Sequence, residues 1–128
     1  MYSMVELENV ERRELDLENP TLLPVGLELR PEKMRPSVWH YEQGEENAYH
    51  RQDQQEELYV VLEGTVDVTV ERDDERDVVA LAKHDFLVVP PESWRQLKAV
   101  EESVVLAVGA PNVKDDGILE DDAGGAES

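Results

Sequence analysis

The residues best suited to bind a ligand in this chain lie in short segments where polar side chains recur at a spacing of two. His50 and Gln52 form one such pair, Glu57 and Tyr59 form another, and Arg95 opens a third segment with an apolar residue two positions on. Because side chains two apart in a β-strand project from the same face, each segment presents its groups together. If the strands close into a barrel with these faces inward, the interior holds an imidazole, an amide, a carboxylate, a phenol and a guanidinium.

This set of groups suits a transition metal only in part. Imidazole and carboxylate are good ligands, whereas the amide oxygen of Gln52 is a weak, neutral one. The guanidinium of Arg95 is permanently charged and has no lone pair to offer. Within about 4–6 Å it would repel a cation, so Arg95 must either point away from a metal or replace it. A fork of N–H donors also suits an anionic ligand such as a carboxylate or a phosphate.

The elements that position these residues are predicted to be strands. Short apolar runs separated by polar breaks predict strands at 37–41, 58–62, 65–70, 78–81, 86–89, 94–100 and 104–108. Residues 73–75 form a hairpin tip, and residues 25–34 are interpreted as an edge strand or a bend because Pro31 interrupts their alternation. Apolar residues recur nowhere at helical spacing over eleven or more positions. Strands of this length and spacing are typical of an all-β sandwich or barrel.

The chain is long enough for one compact domain. We divide it into an N-terminal extension at 1–23, a barrel at 24–111 and an acidic tail at 112–128. The tail carries little apolar content, so we expect it to be disordered.

Charge is the dominant feature of the composition. Asp and Glu number 31 against 12 Lys and Arg, which gives a net charge of −19. Phosphate backbones and anionic membrane surfaces would repel such a chain, so we expect neither nucleic acid nor membrane as a partner. The acid is spread through every inter-strand region and only four of the cations are Lys. This pattern favours adaptation to concentrated salt over a clustered face for a basic partner.

The remaining compositional evidence concerns the compartment. There is no Cys, which excludes disulfides, thiolate metal sites and Cys nucleophiles, and no run reaches the roughly 20 apolar residues of a membrane span. The N-terminus is acidic and unlike a signal peptide. We therefore expect a cytoplasmic protein.

The segment from Gly44 to Gly64 resembles the first motif of the cupins. That motif is Gly, five residues, His-x-His, three or four residues, Glu, six residues and Gly, and Gly44, His50, Glu57 and Gly64 all match it. Residues 84–95, His-Asp-Phe-Leu-Val-Val-Pro-Pro-Glu-Ser-Trp-Arg, resemble the second motif. The resemblance spans about residues 24–110 and implies a cupin-type barrel, a double-stranded β-helix or jelly roll.

The departures from the family pattern fall on its metal ligands. Cupins that bind metal use both His of the first motif, its Glu and a His of the second. Gln52 stands where the second His would be, and Arg95 where the third would be. The resemblance still implies a divalent Mn, Fe, Ni or Zn ion, held here by His50, Gln52 and Glu57. It also implies a homodimer, formed through an open sheet edge that we place at residues 25–34.

In the geometry that the resemblance implies, Glu57 is the carboxylate nearest to Arg95. The two could form a structural ion pair that braces the barrel in place of the metal, because an unpaired buried charge is costly. Alternatively, Arg95 contacts an anionic ligand. Both interpretations stay open.

Three functions are compatible with the sequence. The first is a pocket for a small, anionic molecule, lined by His50, Gln52, Glu57, Tyr59 and Arg95. The second, from the resemblance, is a metal-dependent dioxygenase or isomerase that uses His50, Gln52 and Glu57. The third is a structural or regulatory subunit whose barrel is only a packed core.

Four further side chains are predicted to lie outside the barrel interior. Trp39 and Tyr41 share one face of their strand and have more area to bury than His40, so we expect His40 on the outer face. Tyr49 and Trp94 directly precede interior positions and should point outward. His84 occupies a turn position where the family has glycine, so we expect a tolerated substitution there.

Overall fold

The computed structural model describes residues 1–14 and 20–120 of the chain. Within these ranges the polypeptide forms eleven strands, one short α-helix and a 3-10 turn at Leu7–Asn9. The strands are β1 (Arg13–Glu14), β2 (Thr21–Leu23), β3 (Arg35–Tyr41), β4 (His50–Gln52), β5 (Glu56–Glu63), β6 (Thr65–Arg72), β7 (Glu75–Ala82), β8 (Phe86–Val89), β9 (Arg95–Ala99), β10 (Ser103–Ala110) and β11 (Gly117–Leu119). The helix α1 spans Val25–Leu29. No helix in these two ranges is long and apolar enough to cross a membrane.

Two antiparallel sheets face each other, as the strand pattern of the sequence predicts. One sheet has the order β1-β2-β3-β10-β5-β8 and the other the order β11-β4-β9-β6-β7. Strand β10 shows the period-two alternation that a sheet with one buried face requires, with Ser103, Val105, Ala107 and Gly109 buried and the intervening residues half-buried. The prediction of an all-β cupin-type barrel is confirmed.

The space between the sheets is filled mainly by Val, Leu and Ala, because the chain has few aromatic residues. Val61, Val66 and Val68 are completely buried, and Leu97 and Val105 pack against them. Tyr41 and Tyr59 close one side of this cluster. The polar residues of the interior border this apolar cluster.

The turns that connect these strands take up backbone conformations that the sequence favours. Asp73 and Asp74 have φ of 49° and 67° and join β6 to β7 as the predicted hairpin. Gly64 has φ of 88°, and a Cβ there would lie 2.2 Å from the Ser103 hydroxyl oxygen. Gly64 therefore allows β5 of one sheet to pass into β6 of the other.

Residues 25–34 form no strand, so the edge-strand alternative is wrong, whereas the chain does bend at residues 32–33, just after Pro31. Val25–Leu29 is helical and ends at Arg30, whose φ of 53° is left-handed. Val25 and Leu29, four residues apart, pack on the outer face of β3, while Leu27 between them is exposed. The spacing of four puts both apolar side chains on one helical face. Since no strand edge lies here, the edge proposed for a homodimer is not available at this position, and the homodimer itself stays a prediction.

The N-terminal residues cover part of the outer face of the six-stranded sheet. Val10, Leu23, Val25 and Val38 form a second buried cluster there, against which Leu106 also packs. The Ser3 hydroxyl donates to the Leu29 carbonyl at 2.8 Å and ties this segment to α1. The predicted boundary at residue 24 thus falls between β2, which is a strand of this sheet, and α1, which packs on the same sheet.

The prediction of disorder from residue 112 is wrong up to Leu119. Strand β11 pairs with β4, with Gly117 opposite Gln52 and Leu119 opposite His50. Asp116 is buried, and its carboxylate accepts hydrogen bonds from backbone N–H groups about sixty residues earlier. These long-range hydrogen bonds could not be predicted from the acidic composition of the segment. Residues 121–128 lie outside the described part of the chain.

Candidate functional site

His50 enters the barrel interior from β4. Its Nδ1 donates to the Ala48 carbonyl oxygen at 2.9 Å, so Nε2 carries the lone pair, and it lies 4.0 Å from Oε1 of Glu57. Burial lowers the pKa of His50, and the charge of Arg95 acts in the same direction, although the Ala48 contact and Glu57 oppose it. His50 is therefore neutral near neutral pH and offers an acceptor to the interior.

Glu57 and Tyr59 project inward from β5 and interact with each other. The Tyr59 hydroxyl donates a short hydrogen bond to Glu57 Oε1. Burial, followed by the charge of Glu57, raises the pKa of Tyr59, and the same two causes raise the pKa of Tyr41. Both phenols therefore stay protonated, and Tyr59 stabilises the Glu57 carboxylate.

Arg95 lies opposite His50 in the pairing of β9 with β4, and its side chain is completely buried. Its Nη2 donates to the carbonyl oxygens of Pro90 at 3.2 Å and Val89 at 3.4 Å. Its Nε and Nη1 have no hydrogen-bond partner among the described residues. A buried guanidinium with two such unpaired nitrogens is unusual, because each unsatisfied polar group carries a desolvation cost.

The predicted ion pair between Glu57 and Arg95 is wrong in this structure. In the described ranges, the basic side chain near Glu57 is the neutral imidazole of His50, at 4.0 Å, and no carboxylate oxygen lies within 4.0 Å of an Arg95 nitrogen. The physical reason is that two other groups compete. Tyr59 satisfies the carboxylate, and the carbonyl groups at the end of β8 orient the guanidinium.

Gln52 borders the same interior from β4. Its side chain is buried, and its Oε1 has no hydrogen-bond partner within the residues that the structure describes. The backbone carbonyl of Gln52 accepts from Glu92 N at 2.7 Å, which fixes the end of the strand. Gln52 thus brings one more unsatisfied polar atom to the interior, in this case an acceptor.

Two cavities meet at this cluster. An inner cavity of about 340 Å³ is bordered by polar groups of His50, Gln52, Glu57 and Tyr59, and by apolar side chains that include Trp39, Tyr41, Leu97, Val105 and Ala107. An outer cavity of about 450 Å³ shares Ser37, Trp39, Gln52 and Glu57 with it. The structure therefore brings four of the five sequence-derived site residues to one cavity, while Arg95 lies behind it next to His50.

The outer cavity has walls that the sequence did not reveal. Arg30 and Arg35 border it from the segment around α1, and Asp115 and Asp116 from the segment after β10. Asp116 accepts from the N–H groups of Gln54 and Gln55, and the Gln55 amide donates to the Pro111 and Val113 carbonyls. These bonds hold residues 111–117 against the loop before β5. The local sequence of this wall shows only a pair of acids, and acidic side chains are normally predicted to be exposed to solvent.

Comparison with known families agrees with this architecture. The family model for the cupin domain matches residues 37–109, which is more than half of the chain. The chain belongs to the cupin family. No curated protein sequence matches it at a significant level.

Solved structures show the same fold at low sequence identity. A double-stranded β-helix protein from Klebsiella pneumoniae is 18% identical with a TM-score of 0.70, over 91% of this chain and 95% of that one. KdgF from Halomonas sp. is 14% identical with a TM-score of 0.71, over 90% and 98%. Oxalate decarboxylase from Bacillus subtilis is 12% identical with a TM-score of 0.73, over 91% of this chain but only 31% of that protein. At these identities the likeness concerns the fold.

The interior of this cupin does not fit the metal that the family implies. His50 Nε2, Glu57 Oε1 and Gln52 Oε1 would supply one good neutral ligand, one charged ligand and one weak ligand. Arg95 lies opposite His50 in the pairing of β9 with β4, and its positive charge contributes to lowering the pKa of the imidazole. A divalent ion at this place would meet a buried cation that cannot be deprotonated.

The other aromatic and histidine predictions concern the outer surface. Tyr49 stacks on Trp94 with ring centroids 5.6 Å apart and an angle of 13° between the ring planes. Arg51 lies over the Trp94 ring at 5.7 Å, and Arg76 lies over the Tyr49 ring at 4.4 Å. This stack confirms that Tyr49 and Trp94 point outward.

His84 has φ of 73°, the left-handed conformation expected where the family has glycine. His40 also lies on the outer face, as predicted, while Tyr41 beside it is in the core. Its Nε2 lies 2.9 Å from Glu102 Oε2 and its Nδ1 4.0 Å from Glu42 Oε1. Together, His40, Glu42 and Glu102 could hold a metal ion. Sequence reasoning missed this group because Glu102 is 62 residues from His40.

Proposed function

We propose that this cupin binds a small anionic molecule in the interior of its barrel, with Arg95 as the cation that attracts it. The observation that carries the proposal is the fully buried guanidinium whose Nε and Nη1 have no hydrogen-bond partner in the described ranges. Arg95 lies behind the wall of the inner cavity next to His50, so its permanent positive charge would attract an anion in the cavity electrostatically. A buried charge without a carboxylate partner is costly, and a bound anion would offset part of that cost.

The other walls of the cavity support a ligand of mixed polarity. Trp39, Tyr41 and Val105 offer apolar surface, while Gln52 Oε1 is an acceptor that calls for a donor such as a hydroxyl group. Small-molecule sites typically combine a mostly apolar lining with a few fixed polar groups of this kind. The Glu57 carboxylate would repel an anion, but the hydrogen bond that it accepts from the Tyr59 hydroxyl stabilises its negative charge. The ligand that fits is therefore a small carboxylate that also carries a hydroxyl group.

Arg30 and Arg35 border the outer cavity, whose described lining also includes the acids Glu57, Asp115 and Asp116. The chain has only 12 Lys and Arg for 31 acids, so two arginines at one cavity reduce the repulsion that an entering anion meets there.

The proposal can be tested by calorimetry in chelator-treated buffer, with acetate, glycolate and succinate as probes and acetamide as the uncharged control. We expect at least one carboxylate to bind and acetamide not to bind. Arg95→Gln should weaken binding by about tenfold or more, because it removes the permanent positive charge behind the cavity wall. Arg72→Gln is the matched control, since it removes one arginine charge from an exposed position.

A second variant protects the test if Arg95→Gln does not fold. Gln52→Glu places a negative charge on the cavity wall and should weaken carboxylate binding while leaving the apolar core unchanged. Elemental analysis of the purified protein is run in parallel. Near-stoichiometric transition metal that is lost in His50→Gln would overturn the proposal in favour of the metal-dependent enzyme. A folded protein that binds neither metal nor carboxylate would overturn it in favour of a structural or regulatory subunit.

A further inference from the structure

The outer face of the six-stranded sheet carries a second group of ligating side chains, remote from the barrel interior. His40 is in β3, Glu42 follows that strand, and Glu102 immediately precedes β10. Tyr41 pairs with Ser103 and His40 with Val104, so Glu42 and Glu102 are the next residues along the two strands. The sheet therefore brings two carboxylates together beside one imidazole.

The distances within this group suit a metal ion after small side-chain movements. One ligand atom from each of the three residues lies within 4.8 Å of the others. Around a single Zn²⁺ ion, with bonds of about 2.0–2.2 Å, ligand atoms lie at most about 4.2 Å apart. His40 is only 12% exposed, whereas the carboxylates of Glu42 and Glu102 are each 67% exposed. The imidazole is thus held in place, and both carboxylates are free to close the remaining gap.

The electrostatics of the group also call for a cation. Two carboxylates at adjacent positions of neighbouring strands repel each other. Among the described residues, no Lys or Arg nitrogen lies within 4.0 Å of either one. An adjoining cavity of about 500 Å³ is bordered by Glu6 and Glu8, with Arg12 as the only Lys or Arg in its described lining. The described part of this region therefore carries more acidic than basic side chains.

From these observations we infer that His40, Glu42 and Glu102 form a binding site for a borderline divalent transition ion, with Zn²⁺ as the best match. One imidazole and two carboxylates, with open positions for water, form a ligand set that Zn²⁺ accepts. Mg²⁺ and Ca²⁺ prefer oxygen ligands alone and would leave the imidazole unused. The ion would join the end of β3 to the start of β10 and relieve the repulsion between the two carboxylates. The inference is independent of what the barrel interior binds.

The chain allows a direct assignment of the imidazole ligand, because it has three His and no Cys. The experiment titrates chelator-stripped protein with ZnCl₂ by calorimetry and repeats the titration with His40→Gln, His50→Gln and His84→Gln. The expected result is one Zn²⁺ per chain in the unmodified protein, and binding weaker by about tenfold or more in His40→Gln alone. His50→Gln and His84→Gln should bind as the unmodified protein does.

A carboxylate pair provides a second test that does not depend on a nearly buried residue. Glu102→Gln should weaken Zn²⁺ binding by about tenfold, because a charged ligand becomes a neutral one. Glu101→Gln, at the neighbouring exposed position where Glu101 contacts the Thr65 hydroxyl, should leave binding unchanged. Zn²⁺ binding that is lost in His50→Gln and kept in His40→Gln would overturn the inference and place the ion in the interior. Equal losses in Glu101→Gln and Glu102→Gln would also overturn it, because the ion would then be held by the general negative charge.

Discussion

His50 and His40 lie in similar company but in opposite electrostatic surroundings. Each is a largely buried imidazole with a carboxylate within 4.0 Å: Glu57 in the interior, Glu102 and Glu42 on the outer face. In the interior the carboxylate is fixed by Tyr59 and the region contains the cation Arg95. On the outer face both carboxylates are exposed, and no Lys or Arg in the described ranges pairs with them. We therefore propose that one buried arginine makes the interior suited to an anion, and that the outer face is suited to a metal.

The strongest test of this comparison is to give the interior the ligands that the cupin family uses. The double substitution Gln52→His with Arg95→His replaces a weak ligand and removes the buried cation. We expect the affinity of the interior for Zn²⁺ or Mn²⁺ to rise by about a hundredfold, since each added good ligand contributes strongly. Metal content after dialysis, measured by elemental analysis in a His40→Gln background, reports this site alone.

Gln52→His alone is the control for that experiment. If Arg95 is what excludes the ion, this single variant should gain little metal although it has an extra imidazole. A full gain in Gln52→His alone would show that the guanidinium does not matter, and the comparison between the two regions would fail.

The next largest effect should come from salt, which screens the surface but not the interior. The net charge of −19 must repel itself more in the compact state than in the unfolded chain. The Debye length falls from about 30 Å at about 0.01 M salt to about 3 Å at about 1 M. We expect the melting temperature to rise by several degrees over this range, with most of the rise complete by a few tenths molar KCl. A melting temperature that does not change would contradict the prediction of salt adaptation.

A smaller effect is expected from Tyr59→Phe, which removes the hydroxyl that donates to Glu57. Leaving a buried carboxylate without this donor should lower the free energy of unfolding by about 1–3 kcal/mol, as measured by urea denaturation. Because the site is buried, this loss should be the same in low and in high salt. Tyr2→Phe, at a fully exposed phenol, is the matched control and should change nothing. A loss that disappears in high salt would show that the Tyr59–Glu57 contact behaves as a surface interaction.

The smallest predicted effect is the pH dependence that His50 contributes. Its pKa is lowered in the folded protein, chiefly by burial, so the unfolded chain binds the proton more readily. The stability contributed by neutral His50 is present above the unfolded pKa of about 6.5 and is lost as the pH falls below it. Between about pH 8 and about pH 5 the free energy of unfolding that neutral His50 contributes should therefore fall.

The contribution of His50 is measured as a difference, because protonation of surface acids changes the stability at the same time. Urea denaturation at several pH values, with unmodified protein and His50→Gln, should show a steeper decline on acidification in the unmodified protein. His84→Gln, which changes an exposed imidazole, should follow the unmodified protein. Equal slopes for all three would show that His50 does not titrate differently in the folded state.

Much of the barrel could be predicted because its strands alternate. Buried residues alternate with less buried ones at Val66 and Val68 in β6 and along β10, and this pattern depends only on local geometry. The failure at residues 25–34 has a local cause too. Val25, Leu27 and Leu29 fit a spacing of two, and Val25 with Leu29 also fits a spacing of four, so five residues cannot distinguish a strand from a helix.

The predictions that failed at the site depended on distant partners. Asp116 looked like solvated acid, yet three hydrogen bonds from the backbone N–H groups of Gln54 and Gln55 bury it. An ion pair of Arg95 with Glu57 was one of two interpretations left open, but the Pro90 carbonyl and the Tyr59 hydroxyl bind the two side chains separately. Neither competition can be read from spacing along the chain, because it is decided by side-chain orientation.

The sequence by itself determined the cupin fold, the inward set His50, Gln52, Glu57 and Tyr59, and the outward positions of His40, Tyr49 and Trp94. These follow from alternation and from motif spacing, which are properties of neighbouring residues. Only the tertiary structure decided that two nitrogens of Arg95 find no partner among the residues it describes, that residues 111–117 form a wall of the outer cavity, and that Glu102 lies beside His40. Each of these depends on strands that are distant in sequence and adjacent in the sheets, where hydrogen bonding and charge are settled between side chains that no local pattern connects.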